Sequence, residues 1–184
     1  DYGVVFGVIL GTGCGGGLVV DKRLLTGPNA CAGEWGHNVL PHYQPEKDGD
    51  SDRCYCGQLN CIERFISGSG LERQYAQLFS KQQNVPHIIA QMNEGNQPVA
   101  QLWDRYCDQV ARALAGVVNT LDPDVIVLGG GVSNIPQLYS GLQARIAPYV
   151  FGKQCATPVV QALHGDSSGV RGAAWLGSQQ KHIR

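Results

Sequence analysis

Three cysteines and one histidine offer a set of ligands for a metal ion. Cys54, Cys56 and Cys61 lie within eight residues, and His37 precedes the first of them by seventeen positions. Zinc prefers a tetrahedron of thiolate and imidazole ligands, and three sulfurs with one nitrogen leave no open position. The spacing therefore predicts a structural zinc site rather than a hydrolytic one. Two alternatives stay open: a disulfide between Cys54 and Cys61, and a chance cluster of small buried thiols.

Two acidic residues flank this predicted metal site. Glu34 precedes His37 by three positions, and Glu63 follows Cys61 by two. A closed metal loop would bring the two carboxylates and the imidazole together, and carboxylates accept hydrogen bonds from neighbouring sugar hydroxyls. We therefore predict that Glu34, His37 and Glu63 bind a polyol. The alternatives are a surface acid for Glu34, a first-turn helix residue for Glu63 and a metal ligand only for His37.

Glycine makes up 25 of the 184 residues, against an average usage of about 7%. Two of its clusters follow apolar runs and are candidate nucleotide-binding loops: Gly11, Thr12 and Gly13, and Gly129, Gly130 and Gly131. The backbone N–H groups of the first could hold phosphate oxygens, and the second lies at a strand end, where α/β sheets bind ligands. The alternatives are a tight hairpin turn and close packing of a helix on a strand.

The elements that must position these residues begin with strands. Short apolar segments at Val4–Leu10, Leu18–Val20 and Arg23–Thr26 predict three consecutive antiparallel strands. An irregular region from Gly27 to about Asn60 follows. Apolar residues then recur every three or four positions from residue 99 to residue 121, which predicts one long amphipathic helix.

The remainder of the chain reads as alternating strands and helices. Val125–Leu128 predicts a buried parallel strand, and Pro158–Leu163 contains another. A helix near Ile135 would be capped by Ser133 or Asn134. A last helix follows Asp166, which we interpret as its cap and not as a catalytic acid. Together these elements predict a single α/β lobe.

Composition narrows the class of protein further. Charged residues make up 16% of the chain and the formal net charge is −1, so nothing favours nucleic acid or a membrane surface as a partner. No apolar run reaches eighteen residues. Seven cysteines, three of them crowded together, fit reduced thiols better than a secreted disulfide framework. We therefore expect a cytoplasmic protein.

Two of these motifs together resemble the signatures of the ROK family, named for repressors, open reading frames and kinases. The resemblance covers almost the whole chain and is carried by Glu34-Trp-Gly-His37, Cys54-Tyr-Cys56-Gly-Gln-Leu-Asn-Cys61-Ile-Glu63, Leu10-Gly-Thr-Gly13, Asp122-Pro-Asp-Val-Ile-Val-Leu-Gly-Gly-Gly131 and Asp166-Ser-Ser-Gly-Val-Arg-Gly-Ala-Ala174. One departure is Asn60, where the family usually has glycine. Because asparagine tolerates positive φ, the zinc prediction stands.

The resemblance implies an α/β fold, the ribonuclease H-like lobe of the actin and hexokinase type of ATPase, with a zinc-binding loop inserted at about residues 34–63. It implies zinc binding by the cysteines and His37, hexose binding by Glu34, His37 and Glu63, and ATP binding at the two glycine clusters. Residues 1–184 would then be the C-terminal sugar- and zinc-binding lobe of a two-lobed kinase.

The activity that the resemblance implies is transfer of a phosphoryl group from ATP, with Mg²⁺, to the 6-hydroxyl of a hexose. The family's catalytic base, an aspartate in an Asn-Asp pair, and its N-terminal phosphate loop do not occur in this chain. We therefore expect the fragment alone to be inactive. Glu34 to Asn38 and Phe65 to Gly68 resemble bacterial fructokinases and mannokinases, which places fructose or mannose ahead of N-acetylglucosamine.

Two other functions stay open at this point. ROK repressors carry the same zinc motif behind a DNA-binding module, so the chain could be the effector-binding domain of a sugar-responsive regulator. It could also be a zinc-stabilised assembly module. We expect a homodimer, and in that third reading its contact would involve the long helix near Trp103.

Overall fold

A five-stranded mixed sheet forms the centre of the fold in the computed structural model, which describes residues 2–50 and 52–164. Its strand order is β3-β2-β1-β4-β5. The first three strands are antiparallel and the last two run parallel to β1. The strands are β1 (Val4–Leu10), β2 (Cys14–Val20), β3 (Arg23–Leu24), β4 (Val125–Gly129) and β5 (Val159–Gln161). Each predicted strand is present, although β3 and β5 are shorter than predicted.

Asp124 fixes the start of the pairing between β1 and β4. Its carboxylate accepts hydrogen bonds from the backbone N–H groups of Val4 at 2.8 Å and Gly3 at 2.7 Å. These two donors lower the pKa of Asp124. The register that follows places Val5 opposite Val125.

Helices cover the sheet and fill the connections. They are α1 (Pro45–Asp48), α2 (Glu63–Ile66), α3 (Gly68–Phe79), α4 (Val85–Asn93), α5 (Gln97–Leu121) and α6 (Leu142–Ile146). Short 3₁₀ turns lie at Glu34–His37, Gly131–Asn134, Pro136–Leu138 and Ala147–Tyr149. No helix among the described residues is both long and apolar enough to cross a membrane.

The predicted long helix, α5, is confirmed and has clear end signals. The side chain of Asn96 accepts a hydrogen bond from the backbone N–H of Val99 at the N-terminus. Asp122 ends the helix with a left-handed backbone (φ 42°), and Pro123 follows it. The apolar face of α5 is fully buried and packs on the core that the sheet and α2 to α4 share.

One expectation for the second half of the chain is wrong. The helix expected near Ile135 is a three-residue 3₁₀ turn, and the Ser133 hydroxyl donates to the carbonyl of Gly130 instead of capping it. Trp103 is 7% exposed and stacks on Tyr106, so its side chain belongs to the core. Asp166 and the helix expected after it lie outside the described residues.

A buried ion pair fastens the irregular region to α5. Asp48 and Arg112, 0% and 1% exposed, form a bidentate pair, and Gln109 also donates to Asp48, at 3.2 Å. Arg112 donates to the backbone carbonyls of Pro41 at 2.9 Å and His42 at 3.1 Å. Removing one partner of such a pair leaves a buried charge without compensation, which is far costlier than losing an exposed pair.

We expect Asp48→Ala to lower the free energy of unfolding by about 3–5 kcal/mol, because Arg112 would stay buried and lose its main counter-charge. The matched control is Asp52→Ala, which removes an exposed ion pair with Arg64 and should cost less than about 1 kcal/mol. Urea unfolding curves of the two variants measure the difference. Equal losses would show that the buried pair does not anchor the loop.

Candidate functional site

The two arms of the predicted zinc loop are held together by backbone hydrogen bonds. Val39 and Cys61 form an isolated antiparallel bridge. Leu40 N–H donates to the carbonyl of Asn60, and Ile62 N–H donates to the carbonyl of Asn38, both at 2.8 Å. Asn60 has a φ of 59°. The position where the family usually has glycine therefore does adopt a left-handed backbone, which asparagine tolerates.

A second turn presents the first two thiols. Cys54 N–H donates to the carbonyl of Gln58 at 2.9 Å, and Gly57 N–H donates back to the carbonyl of Cys54 at 2.8 Å. Gly57 has a φ of 90°, which the tight turn requires and which a residue with a Cβ rarely adopts. Cys54 and Cys61 are buried, whereas Cys56 is exposed.

The four predicted metal ligands converge. The ligand atoms of His37, Cys54, Cys56 and Cys61 all lie within 4.8 Å of one another. Nδ1 of His37 is 3.5 Å from the Cys54 sulfur, and the sulfurs of Cys56 and Cys61 are 3.6 Å apart. A zinc ion with bonds of about 2.3 Å to sulfur separates its ligands by roughly 3.7 Å, so the residues present fit this metal.

The disulfide alternative is not formed in this structure. All seven cysteines are free thiols. Cys54 and Cys61, the pair that the disulfide alternative would join, are both among them. Of the readings left open by spacing alone, the cluster geometry favours the metal site.

The thiols of the cluster differ in how readily they ionise. A hydrogen bond from the backbone N–H of Gln58 lowers the pKa of Cys56 to about 7, although some loss of solvation acts in the opposite direction. Burial, followed by the neighbouring thiols of Cys56 and Cys54, raises the pKa of Cys61 to about 12. Metal binding requires all ligand thiols to be deprotonated, so a divalent ion would offset the cost of the buried thiolate.

The Glu34–His37 turn is pressed against strand β2. Nε1 of Trp35 donates to the carbonyl of Gly15 at 3.0 Å, and the Trp35 ring packs edge-on against Phe6 at 5.7 Å between centroids. A Cβ on Gly36 would lie 2.1 Å from the carbonyl oxygen of Cys14. The glycine therefore permits the close approach that carries His37 to the cluster.

The structure places two of the three predicted sugar-binding residues, Glu34 and His37, beside each other, whereas Glu63 contacts Cys14 at the start of β2. Nδ1 of His37 faces the thiols, while its Nε2 lies 3.8 Å from a carboxylate oxygen of Glu34 and 2.8 Å from the hydroxyl of Tyr55. Partial desolvation, and then the carboxylates of Glu63 and Glu34, raise the pKa of Tyr55. Tyr55 was not among the residues predicted from the sequence. Its position between two of the predicted ligand cysteines is the one feature of the sequence that points to it.

The glycine clusters divide between a cavity and the core. A cavity of about 630 Å³ opens beside the turn after β1, and its lining includes Gly11, Thr12, Gly68, Ser69, Gly131 and Val132. A Cβ on Gly129 would lie 3.1 Å from Ile9, and Gly130 packs on the carbonyl of Leu10 with a φ of 83°. The residues that face the cavity are thus Gly11, Thr12 and Gly131. The alternative role, close packing, applies to Gly13, Gly129 and Gly130.

The start of α3 also faces this cavity and was missed by the sequence analysis. Ser67 caps the helix by accepting a hydrogen bond from Gly70 N–H at 2.9 Å, and Gly68 and Ser69 line the cavity. Helix N-termini attract phosphate oxygens because their N–H groups are unpaired and the helix dipole is positive there. The signal in the sequence was the cap and glycine pattern of residues 67–70.

Two solved structures with this fold are sugar kinases. A ROK hexokinase from Thermus thermophilus superposes with a TM-score of 0.81 at 28% identity, covering 98% of this chain and 59% of that one. A ROK glucokinase from Streptomyces griseus, in complex with glucose and AMPPNP, gives 0.81 at 25% identity, covering 96% and 61%. The fold is thus that of a lobe of the actin and hexokinase class of ATPases, as expected.

Within that class, the sequence model of the ROK family matches residues 1–180, and the chain belongs to the ROK family. A curated relative, the N-acetyl-D-glucosamine kinase of Shigella boydii, is 38% identical over 179 residues, which cover 96% of this chain and 59% of the relative. The chain therefore spans about three fifths of the length of that relative.

We expect the purified protein to contain one zinc ion per chain, and Cys61→Ala to lose it, because three remaining ligands leave the tetrahedron open. Cys31→Ala removes an exposed thiol outside the cluster and should keep the zinc. Elemental analysis of protein purified without chelators decides between the outcomes. Zinc absent from the unmodified protein, or retained in full by Cys61→Ala, would contradict the predicted site.

Proposed function

We propose that the chain is the C-terminal lobe of an ATP-dependent carbohydrate kinase that phosphorylates a hexose. The observation that supports the proposal is that the turn after β1 contacts both sets of candidate residues. Glu63, a candidate sugar ligand, accepts a hydrogen bond from Cys14 at the end of this turn, and Gly11 and Thr12 within it line the cavity. Phosphoryl transfer requires a sugar hydroxyl and the γ-phosphate of ATP to meet in this way.

In this proposal the chain binds and orients both substrates. Hydrogen bonds to the hexose hydroxyls are formed by the carboxylates of Glu34 and Glu63 and by Nε2 of His37. The bound sugar covers these three groups and reduces their exposure to solvent. The backbone N–H groups of Thr12 and of Ser69, at the start of α3, receive the phosphates of Mg²⁺-bound ATP, which Gly11 borders. Gly131 borders the adenosine, and Gly13, Gly129 and Gly130 give the loops their shape.

We further propose that His37, Cys54, Cys56 and Cys61 hold a structural zinc ion within the loop at about residues 34–63. The ion would supply no chemistry to the sugar, because four protein ligands leave no open position. Its effect would be to orient His37: with Nδ1 directed to the metal, Nε2 keeps its proton and donates to a hydroxyl.

The general base would come from the other lobe of the kinase. The Asn-Asp pair of the family does not occur in this sequence, and the chain covers 59% of the Shigella boydii relative. The isolated chain would then bind substrates without turning them over. The cavity beside Gly11 favours a nucleotide-using enzyme over the effector domain of a repressor.

N-acetyl-D-glucosamine is the hexose we propose first, since the curated relative at 38% identity is a kinase of that sugar. The motif-based order, fructose or mannose first, finds no support in the relatives reported above. We keep these sugars as the second candidates because Asn38 and the Phe65–Gly68 segment resemble fructokinases and mannokinases.

The experiment is a coupled assay of ADP release by the full-length protein with N-acetylglucosamine, glucose, mannose and fructose. We expect the highest kcat/KM with N-acetylglucosamine. Turnover of none of the four sugars would reject the proposed activity, and a clear preference for fructose or mannose would reverse the order.

We expect Glu34→Gln to lower kcat/KM for the hexose by roughly 10- to 100-fold, because it weakens hydrogen bonds to a charged acceptor, and to leave the KM for ATP unchanged. Glu46→Gln, which neutralises an exposed acid on α1, is the control and should leave both values unchanged. An equal effect of the two substitutions on hexose kinetics would remove Glu34 from the sugar site.

A further inference from the structure

The turn between β1 and β2 is held at both ends by the segment that follows the last ligand cysteine. At its start, the carbonyl of Gly11 accepts a hydrogen bond from Gly68 N–H at 2.7 Å. At its end, Cys14 N–H donates to Oε2 of Glu63 at 2.9 Å. Within the turn, Gly11 N–H donates to the carbonyl of Gly13 at 3.0 Å. Residues 63–68 therefore clamp the turn whose residues line the nucleotide cavity.

The contact between Glu63 and this turn is too close for a side chain at Gly13. A Cβ at that position would lie 2.7 Å from Oε2 of Glu63. The carboxylate also affects the thiol of Cys14. Burial, and then the charge of Glu63, raise the pKa of this thiol. The carboxylate of Glu63 is thus a structural neighbour of the phosphate-facing turn as well as a candidate sugar ligand.

Glu63 has a second oxygen for a second partner. Within the described residues, the structure assigns its carboxylate one hydrogen bond, through Oε2. Oε1 therefore stays able to accept from a hexose hydroxyl. One carboxylate would then join the sugar to the N–H group that ends the nucleotide turn.

We infer that Glu63 is a positioning residue for nucleotide binding, acting through the hydrogen bond to Cys14 on the Gly11–Gly13 turn. The inference rests on the proposed kinase function. Glu63 does not line the nucleotide cavity, whereas Gly11 and Thr12 do. Loss of its carboxylate should free the end of the turn and weaken nucleotide binding even when no sugar is present.

The test compares two substitutions of Glu63 in the full-length protein. Glu63→Ala removes the acceptor, whereas Glu63→Gln keeps a carbonyl oxygen that can accept from Cys14 N–H. By titration calorimetry with Mg²⁺ and AMPPNP in the absence of sugar, we expect Glu63→Ala to raise Kd roughly tenfold and Glu63→Gln to stay within about threefold. Both should lose most hexose turnover, because both remove the charged sugar ligand.

Two further variants separate positioning from sugar contact. Glu34→Ala removes a sugar acid that the structure does not place on the turn, and should leave the Kd for AMPPNP unchanged. Gly13→Ala should act like Glu63→Ala, since its Cβ would displace the carboxylate. An unchanged Kd for AMPPNP in Glu63→Ala would overturn the inference and leave the kinase proposal intact.

A measurement without nucleotide tests separately whether the hydrogen bond from Cys14 to Glu63 holds the turn. We expect hydrogen exchange of the Cys14 amide to be at least about tenfold faster in Glu63→Ala than in the unmodified protein, with Glu63→Gln close to the latter. Unmodified protein that does not bind AMPPNP would overturn both proposals. Equal exchange rates in all three proteins would show that the hydrogen bond to Cys14 does not hold the turn.

Discussion

The buried ion pair between Asp48 and Arg112 is the constraint on which the candidate site depends. The region between β3 and α2 contains little regular structure, so it cannot hold its shape through sheet or helix hydrogen bonds of its own. The pair ties this region to α5, which is itself fixed by its apolar face in the core. Without that attachment, the turn that carries His37 would keep its packing on β2, and the Val39–Cys61 bridge would be left to hold it beside the turn that carries the cysteines.

The candidate site also depends on glycines that let other groups approach the backbone closely. Gly36 lies against the carbonyl of Cys14, Gly13 against the carboxylate of Glu63, and Gly130 against the carbonyl of Leu10. Each contact joins the sheet to a different loop, and none of them leaves room for a Cβ. These three glycines therefore serve close packing at the ends of strands.

These contacts join the proposed sugar site to the proposed nucleotide cavity. Glu63 begins α2 directly after the cysteine motif, and Gly68 begins α3 at the cavity. A displacement of the cysteine loop would be transmitted through residues 63–68 to the turn after β1. In a two-substrate kinase, such a short path offers a physical means for the two sites to keep the distance that phosphoryl transfer requires.

The sequence by itself determined the strands, the long helix and the ROK family, and it predicted that His37 and three cysteines converge, because apolar period, end signals and motif spacing can be read along the chain. It could not determine which glycines face the cavity, since Gly131 and Gly130 are neighbours with the same side chain and differ only in what packs against them. Nor could it reveal the contact of Tyr55 with His37, the burial of Trp103 or the bond from Cys14 to Glu63. Those depend on residues far apart in sequence meeting across the fold, and only the tertiary structure decides which of them meet.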